Sequence, residues 1–297
     1  MTSIPYIGEA LSVIAAVLWA LSLVLFRRSG ERVHPIALNT FKDTMAVLLY
    51  VPAMLLAGES LVHPAPARVY WLLLLSGVIG IAIADSLLFY ALNMLGAGAY
   101  ALVSALYSPI IILLSFLFLG ERMTVWQLIG AAMIVTSVLE VALGGASVHL
   151  PPRRRALAIL IGLADVMSMG IGVIIVKPLL NDAPLFWAAE VRLLGGVIAL
   201  FVFLAFHPGR RRIVGSLLTP HYRGVTVFSS FLGGFVAMTC WLAGIQLADA
   251  SVAAALNQTY TVFTLVFAAI ILHERVTIGR VIAIAVALAG AMLVTFG

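Results

Sequence analysis

Apolar residues in this chain run in stretches of about 20, long enough to span the roughly 30 Å hydrocarbon core of a bilayer. Short polar breaks separate them. The pattern predicts ten helices, at roughly 7–27, 35–57, 70–95, 97–119, 124–143, 156–176, 185–206, 225–247, 250–272 and 277–296. The breaks are chemically legible. Arg27-Arg28-Ser29-Gly30 ends the first helix, and Pro151-Pro152-Arg153-Arg154-Arg155 divides the chain in two. His207-Pro208-Gly209-Arg210-Arg211-Arg212 opens the longest loop.

A short stretch is written twice. Leu119-Gly120-Glu121-Arg122-Met123-Thr124 returns 153 residues later as Leu272-His273-Glu274-Arg275-Val276-Thr277. In the same register Ala97, Ala101, Tyr107, Ile129, Ala132 and Val141 meet Ala250, Ala254, Tyr260, Ile282, Ala285 and Val294. The chain therefore reads as an all-α integral membrane protein of two five-helix repeats, residues 1–147 and 148–297. An odd number of spans turns the second copy upside down, so the repeats are expected to be inverted. Duplicated membrane halves of this kind rock around a shared site in transporters.

Composition agrees. Of 297 residues, 63% are hydrophobic and 10% charged, with a mean hydropathy of +1.17. That leaves no room for a sizeable soluble domain. The net charge of +5 does not point to nucleic acid, because the basic residues sit in short loops. Loops after helices 1, 5, 7 and 9 carry Arg27, Arg28, Arg32, Arg153, Arg154, Arg155, Arg210, Arg211, Arg212, Arg223 and Arg275; those after helices 2, 4 and 6 carry Arg68, Arg122 and Lys177. The positive-inside rule puts the first set in the cytoplasm and both termini outside. Lone Cys240 excludes an internal disulfide. The first apolar run is as long as a full span and lacks a basic segment before it, so no cleavable signal peptide is expected.

Polar side chains inside such helices need partners or water, so they concentrate on faces toward a cavity or another helix. Tyr100, Ser104, Tyr107 and Ser108 recur at helical spacing on helix 4, and Asn257, Thr261 and Thr264 on helix 9, with Gln258 and Tyr260 beside them. The 153-residue offset matches Ser104 to Asn257, Tyr107 to Tyr260 and Ser108 to Thr261. A duplicated polar face is expected to bind substrate, with Trp19 of helix 1 facing the same cavity; the alternative is that these residues join helices by hydrogen bonds.

Intramembrane ionisable residues are Lys42, Asp43, Asp85, Asp165, Glu190 and Arg192. Each costs roughly 2.5–3.5 kcal/mol at mid-bilayer, so each needs a role. Lys42 and Arg192 follow Pro35 and Pro184 at similar spacing, and each can neutralise a carboxylate of the protein or of the substrate. Asp43 or Asp85 is expected to compensate Lys42. Asp85, within Gly80-Ile81-Ala82-Ile83-Ala84-Asp85-Ser86, is the candidate for proton coupling, or else a static partner of Lys42. Trp19, Tyr90, Trp187 and Trp241 are candidate cavity walls, whereas Trp71 and Trp126 read as interface anchors. Glu121-Arg122 and Glu274-Arg275 read as charged turns closing helical hairpins, or as functional pairs because they repeat. Helix 10 carries Gly279, Ala283, Ala287 and Ala291 every fourth residue, which permits close contact within the subunit or a homodimer. Otherwise a monomer is expected, with the lipid bilayer and a small solute as partners. No cofactor, metal site or catalytic residue is indicated: His273-Glu274 lacks the second histidine of a zinc motif.

The chain resembles the EamA-domain branch of the drug/metabolite transporter superfamily, including YddG-type amino-acid and metabolite exporters. The resemblance rests on Ala91-Leu92, Ala97 to Ala101, Pro109, Gly120-Glu121-Arg122 and Gln127-Leu128-Ile129-Gly130, and in the second copy on Ala250 to Ala254 and Glu274-Arg275. It departs at Val262, opposite Pro109, and at His273, opposite Gly120. The resemblance implies a multi-pass secondary transporter of the inner membrane. It also implies a cavity walled by helices 1–4 and 6–9, with 5 and 10 outside them. Members are usually drawn with their termini inside. Export of amino acids or related metabolites by alternating access is the expectation, with proton coupling as an option. Efflux of lipophilic cations would need an unpaired buried carboxylate. Exchange of phosphorylated solutes would need an unpaired Lys42 or Arg192.

Overall fold

The computed structural model describes residues 6–119, 124–143, 150–179, 183–218, 223–247 and 256–296. Among them there are helices and turns but no strand. The first copy contains α1 (Ile7–Ser29), α2 (Pro35–Leu56), α3 (Ala67–Gly77), α4 (Ala84–Leu95), α5 (Ala97–Ser104), α6 (Tyr107–Leu119) and α7 (Val125–Leu143). The second contains α8 (Pro152–Val176), α9 (Leu185–Phe206), α10 (Arg210–Gly215), α11 (Arg223–Ser230), α12 (Met238–Leu247), α13 (Tyr260–Ile271) and α14 (Ile278–Phe296). Six of the described stretches are long and apolar enough to cross a membrane, and three shorter apolar helices accompany them.

Helix starts follow local chemistry. Pro35 and Pro152 open α2 and α8, where the missing N–H costs nothing. For α8 this moves the start from the expected 156 to 152. Short α10 lies inside the loop that the sequence pattern leaves unstructured. The Glu121-Arg122 turn and Ala250 to Ala254 fall outside the described residues.

Two continuous spans are not regular inside. Val78–Ile83 joins α3 to α4 as a π-helical segment, and Phe231–Ala237 joins α11 to α12 in the same way. They begin at equivalent places in the two copies, since Val78 and Phe231 are related by the 153-residue offset. A widened turn releases carbonyls from the regular ladder, and such segments gather at functional sites.

The halves exchange partners. α1 packs on α11, the second π segment, α12 and α13; α8 packs on α3, the first π segment, α4, α5 and α6. Individual contacts repeat the swap. Ser22 Oγ donates to Ser229 O at 2.9 Å, and Ser76 Oγ donates to Gly172 O at 2.7 Å, with Ser76 and Ser229 at the repeat offset. Gly233 lies against Ser22 and Gly80 against the backbone of Gly172. Each copy's first helix thus locks onto the other copy's third, the relation a two-fold axis between halves produces.

All of α5 is buried, at the centre of the largest apolar cluster, which draws on α1, α2, α4, α7, α8, α13 and α14. Leu48, Trp71, Phe118, Leu160, Ile198, Phe206, Ile270 and Ile278 cover the outside, as suits a chain solvated by lipid. α7 and α14 pack on each other, where Gly130 and Gly290 bring the backbones together. Ala283, Ala287 and Ala291 are buried in the subunit's own core. Gly279, the first small residue of the series, is exposed.

Candidate functional site

The polar residues of helices 4 and 9 sit where both helices break. α5 stops at Ser104 and α6 begins at Tyr107; the described part of helix 9 turns at 258–259 before α13 begins at Tyr260. In the first break Leu106 N–H bonds to Val103 O at 3.1 Å and Ser108 N–H to Ala105 O at 3.3 Å. In the second, Thr259 N–H bonds to Leu256 O at 3.1 Å and Thr261 N–H to Gln258 O at 3.3 Å. These tightened turns match residue for residue at the 153 offset. Pro109, which has no N–H to give, explains the first break. Val262 occupies the same place in the second, and its N–H bonds to Thr259 O at 3.0 Å. The missing proline therefore does not remove the break. Hydroxyls stabilise both turns: Ser104 Oγ donates to Ala101 O at 3.0 Å, Thr259 Oγ1 to Leu256 O at 2.6 Å and Thr261 Oγ1 to Gln258 O at 3.0 Å.

The two breaks touch. The Ser104 and Tyr260 hydroxyls are hydrogen-bonded, and Gln258 Nε2 donates to Ser108 Oγ at 2.8 Å. The offset pairs residues across the repeat, but the contacts run obliquely, Ser104 to Tyr260 rather than to Asn257. Asn257 Oδ1 is buried without a partner. Thr261 is 3% exposed and spends its hydroxyl on its own helix.

Trp19 stands apart from this group. Its Nε1–H donates to Gly233 O in the second π segment at 3.2 Å, and its ring lies 5.8 Å from that of Trp241. The aromatic wall expected from sequence resolves into three places. Tyr90 stands edge-on to His34 at 5.8 Å. Trp187, 0% exposed, is enclosed by His63 and Tyr70 at 5.1 and 5.0 Å. Trp71 and Trp126 are exposed, as interface anchors would be.

The charged residues divide sharply. Lys42 Nζ lies 2.8 Å from Asp43 Oδ1 and also pairs with Asp85, so the expected compensation is met by both candidates. Asn39 steadies this group: its Nδ2 donates to Ile81 O and Ala82 O at 3.2 Å and to Ser86 Oγ at 3.1 Å, taking up carbonyls loosened by the π turn. Arg192 has no carboxylate at ion-pair distance among the described residues. Its Nε donates to Ser76 Oγ at 3.0 Å, and the groups whose fields reach it are Tyr107 and Asp85. The absent Cβ of Gly80 would lie 3.6 Å from Arg192 Nη2. Asp165, 1% exposed, accepts the Tyr100 hydroxyl at 2.6 Å.

Ser76, Asn39 and the two π segments escaped the sequence reading as site elements; Tyr100 and Asp165 were named there, but not their pairing. One signal was available: Gly80 and Gly233 occupy equivalent positions in the two copies. The two turns with their duplicated polar faces, the Arg192–Ser76 pair and the Lys42 triad together form a polar seam between the halves.

The model of the EamA-like transporter family matches residues 6–143 and again 156–296, so the chain belongs to that family. No curated protein matches it. A solved structure titled "Crystal structure of protein" is similar, with a TM-score of 0.68 at 20% identity, covering 97% of this chain and 98% of that chain. At that identity the likeness concerns the fold.

Proposed function

We propose that this EamA-like transporter exports carboxylate-bearing metabolites, amino acids foremost, across the inner membrane by alternating access. The observation that carries the reading is the pair of equivalent helix breaks, in contact with each other between two halves that exchange partners. Interrupted helices with polar linings bind solutes near the bilayer midplane, because their loosened backbone and side chains can trade internal hydrogen bonds for those of a ligand. Ten spans in two inverted repeats complete the reading, with the halves closing one mouth and opening the other.

Ser104, Tyr107, Ser108, Asn257, Gln258, Tyr260 and Thr261 supply hydrogen bonds around the breaks, and Trp19 with Trp241 supplies an aromatic flank. Arg192 decides the substrate class. A half-buried guanidinium without a carboxylate at ion-pair distance among the described residues suits a planar anion that accepts two hydrogen bonds. Lys42 is already engaged and is the weaker anchor. Arg192 also meets the condition set for a phosphorylated solute. The field of Asp85, however, opposes a second negative charge beside it, which favours a singly charged carboxylate.

The test is counterflow. Proteoliposomes loaded with one unlabelled amino acid are assayed at equal pH for uptake of the same amino acid, labelled, across a panel. Exchange of at least one member above protein-free vesicles is expected. Absence of exchange across neutral, acidic, basic and aromatic amino acids would refute the substrate class.

A further inference from the structure

Asp85, the sequence candidate for carrying a coupled proton, is paired with Lys42. A different carboxyl in the structure has no such partner. Glu190, in the second turn of α9, is 5% exposed, and its Oε2 makes no hydrogen bond. No cation lies within ion-pair distance of it among the described residues. Burying an ionised carboxylate in that condition is costly, whereas the protonated acid is neutral.

The surroundings extend the argument. Tyr50 of α2 is the titratable group within electrostatic reach of Glu190. Its own hydroxyl is also buried. The Tyr50 ring is held by Phe186 at 6.2 Å and by Phe235 of the second π segment at 5.5 Å, and its hydroxyl lies beside Thr239 of α12. Of the other charged groups on neighbouring elements, Glu59 accepts the Trp187 N–H at 2.9 Å and Arg68 is exposed at the start of α3. Lys42 and Asp43 stand two turns away on α2, in their own triad. Arg192 turns to Ser76 on α3, the first π segment contributes no ionisable residue, and the arginines of α10 stand beyond the far end of α9. Tyr50 is 0% exposed, so the site has room for a proton and not for a solute group.

We propose that Glu190 is the proton-carrying residue of the transport cycle. This rests on the reading of the protein as a carrier whose halves move. Tyr50 belongs to the first half and packs in one cluster with Ala189 and Leu193, which flank Glu190 in the second. While the two are packed together the carboxyl holds a proton; when the halves part, water reaches it and the carboxylate and a free proton separate. One proton taken up on one side of the membrane is released on the other. The lid is aromatic and comes from the opposite half, so proton affinity follows the conformational state.

Two measurements test the proposal, and only the second needs a transported solute. Infrared difference spectra of detergent-solubilised parent and Glu190→Gln protein are compared at neutral pH. A protonated carboxyl C=O band in the parent, lost in Glu190→Gln, is expected; its absence from the parent overturns the proposal regardless of substrate. In proteoliposomes that show counterflow, Glu190→Gln is expected to keep exchange at equal pH and to lose accumulation driven by a pH gradient. Accumulation at the parental level in Glu190→Gln, or a parent indifferent to the gradient, overturns it. Should Glu190→Gln also lose exchange, Glu190→Asp decides: restored gradient-driven accumulation supports the proposal, and failure of both overturns it. Absence of counterflow from the parent counts against the carrier reading and leaves the infrared result to judge Glu190.

Discussion

Glu274 reaches from the second copy to the first: its Oε1 accepts the backbone N–H of Ala97 at 2.8 Å, and its Oε2 that of Gly98 at 3.2 Å. A carboxylate on the exposed donors of a helix start satisfies unpaired N–H groups and favours the helix dipole. Arg280 stands 3.5 Å from the same carboxylate. The repeated Glu-Arg turn therefore has a structural explanation in the half where it is described.

Glu274→Ala is expected to destabilise the protein by about 2 kcal/mol, as a charge-assisted cap should. Glu274→Gln, which keeps one acceptor, should cost less. Thermal unfolding in detergent measures both. The repeat offset maps the pair onto Glu121 and Ala250, outside the described residues, and Glu121→Ala is expected to cost a similar amount.

The residue before this cap explains a departure in the repeat. His273 has φ of 56°, the left-handed region that glycine adopts without strain. The first copy has Gly120 there. His273→Gly should raise stability by up to about 1 kcal/mol, read as a higher unfolding midpoint; a lower midpoint would show that the histidine side chain contributes more than its backbone costs.

Close approach of α3 and α9 depends on Gly77. A Cβ at that position would lie 1.8 Å from Arg192 O, a backbone atom that cannot swing aside. Gly77→Ala should therefore cost more than about 3 kcal/mol or abolish folding, and it should displace Arg192. Gly215→Ala, with nothing within 4 Å, is the matched control and should fold like the parent.

The loop end of α2 carries a pH-sensitive cap. His34 Nδ1 accepts the Ile36 N–H at 3.3 Å, and Nε2 faces the Tyr90 hydroxyl at 3.3 Å. Burial first, then the nearby His207 and Arg212, hold this imidazole below its ordinary value. The unfolded chain thus binds the proton more readily than the folded one. Stability should be fully present above about pH 6.5 and fall as the pH drops through that value toward the lowered folded one. Protonation also fills the lone pair that serves as the cap. His34→Asn should flatten the pH dependence of the unfolding midpoint below about pH 6.5.

What was legible in the sequence follows from the range of each interaction. The duplication was legible because both copies answer to the same local constraints, down to Ala97 and Ala250. The helix break could be read once, from Pro109. Its twin at 258–259 could not, because Thr259 and Thr261 hold it by hydrogen bonds that many helical threonines make without breaking a helix. The π segments have no residue code of their own. Lys42 and Arg192 looked alike by spacing. Their difference arises from Asp43 and Asp85 on one side and Ser76 on the other, and pairings across 43 and 116 positions leave no local trace. The enclosure of Trp187 by His63 and Tyr70 is likewise a long-range fact.

Discrimination between an amino acid and its methyl ester is the most direct test of the transport reading. At a pH low enough to keep its amine protonated, the ester retains the side chain and ammonium group, adds one methyl group and lacks the carboxylate that Arg192 is assigned to bind. In counterflow with the best panel substrate, the parent protein should be competed by the free acid and not by the ester. Arg192→Gln, checked for folding by size-exclusion chromatography, should lose that preference along with most of its exchange. Equal competition by acid and ester in the parent, or an Arg192→Gln protein that still prefers the acid, would contradict the account.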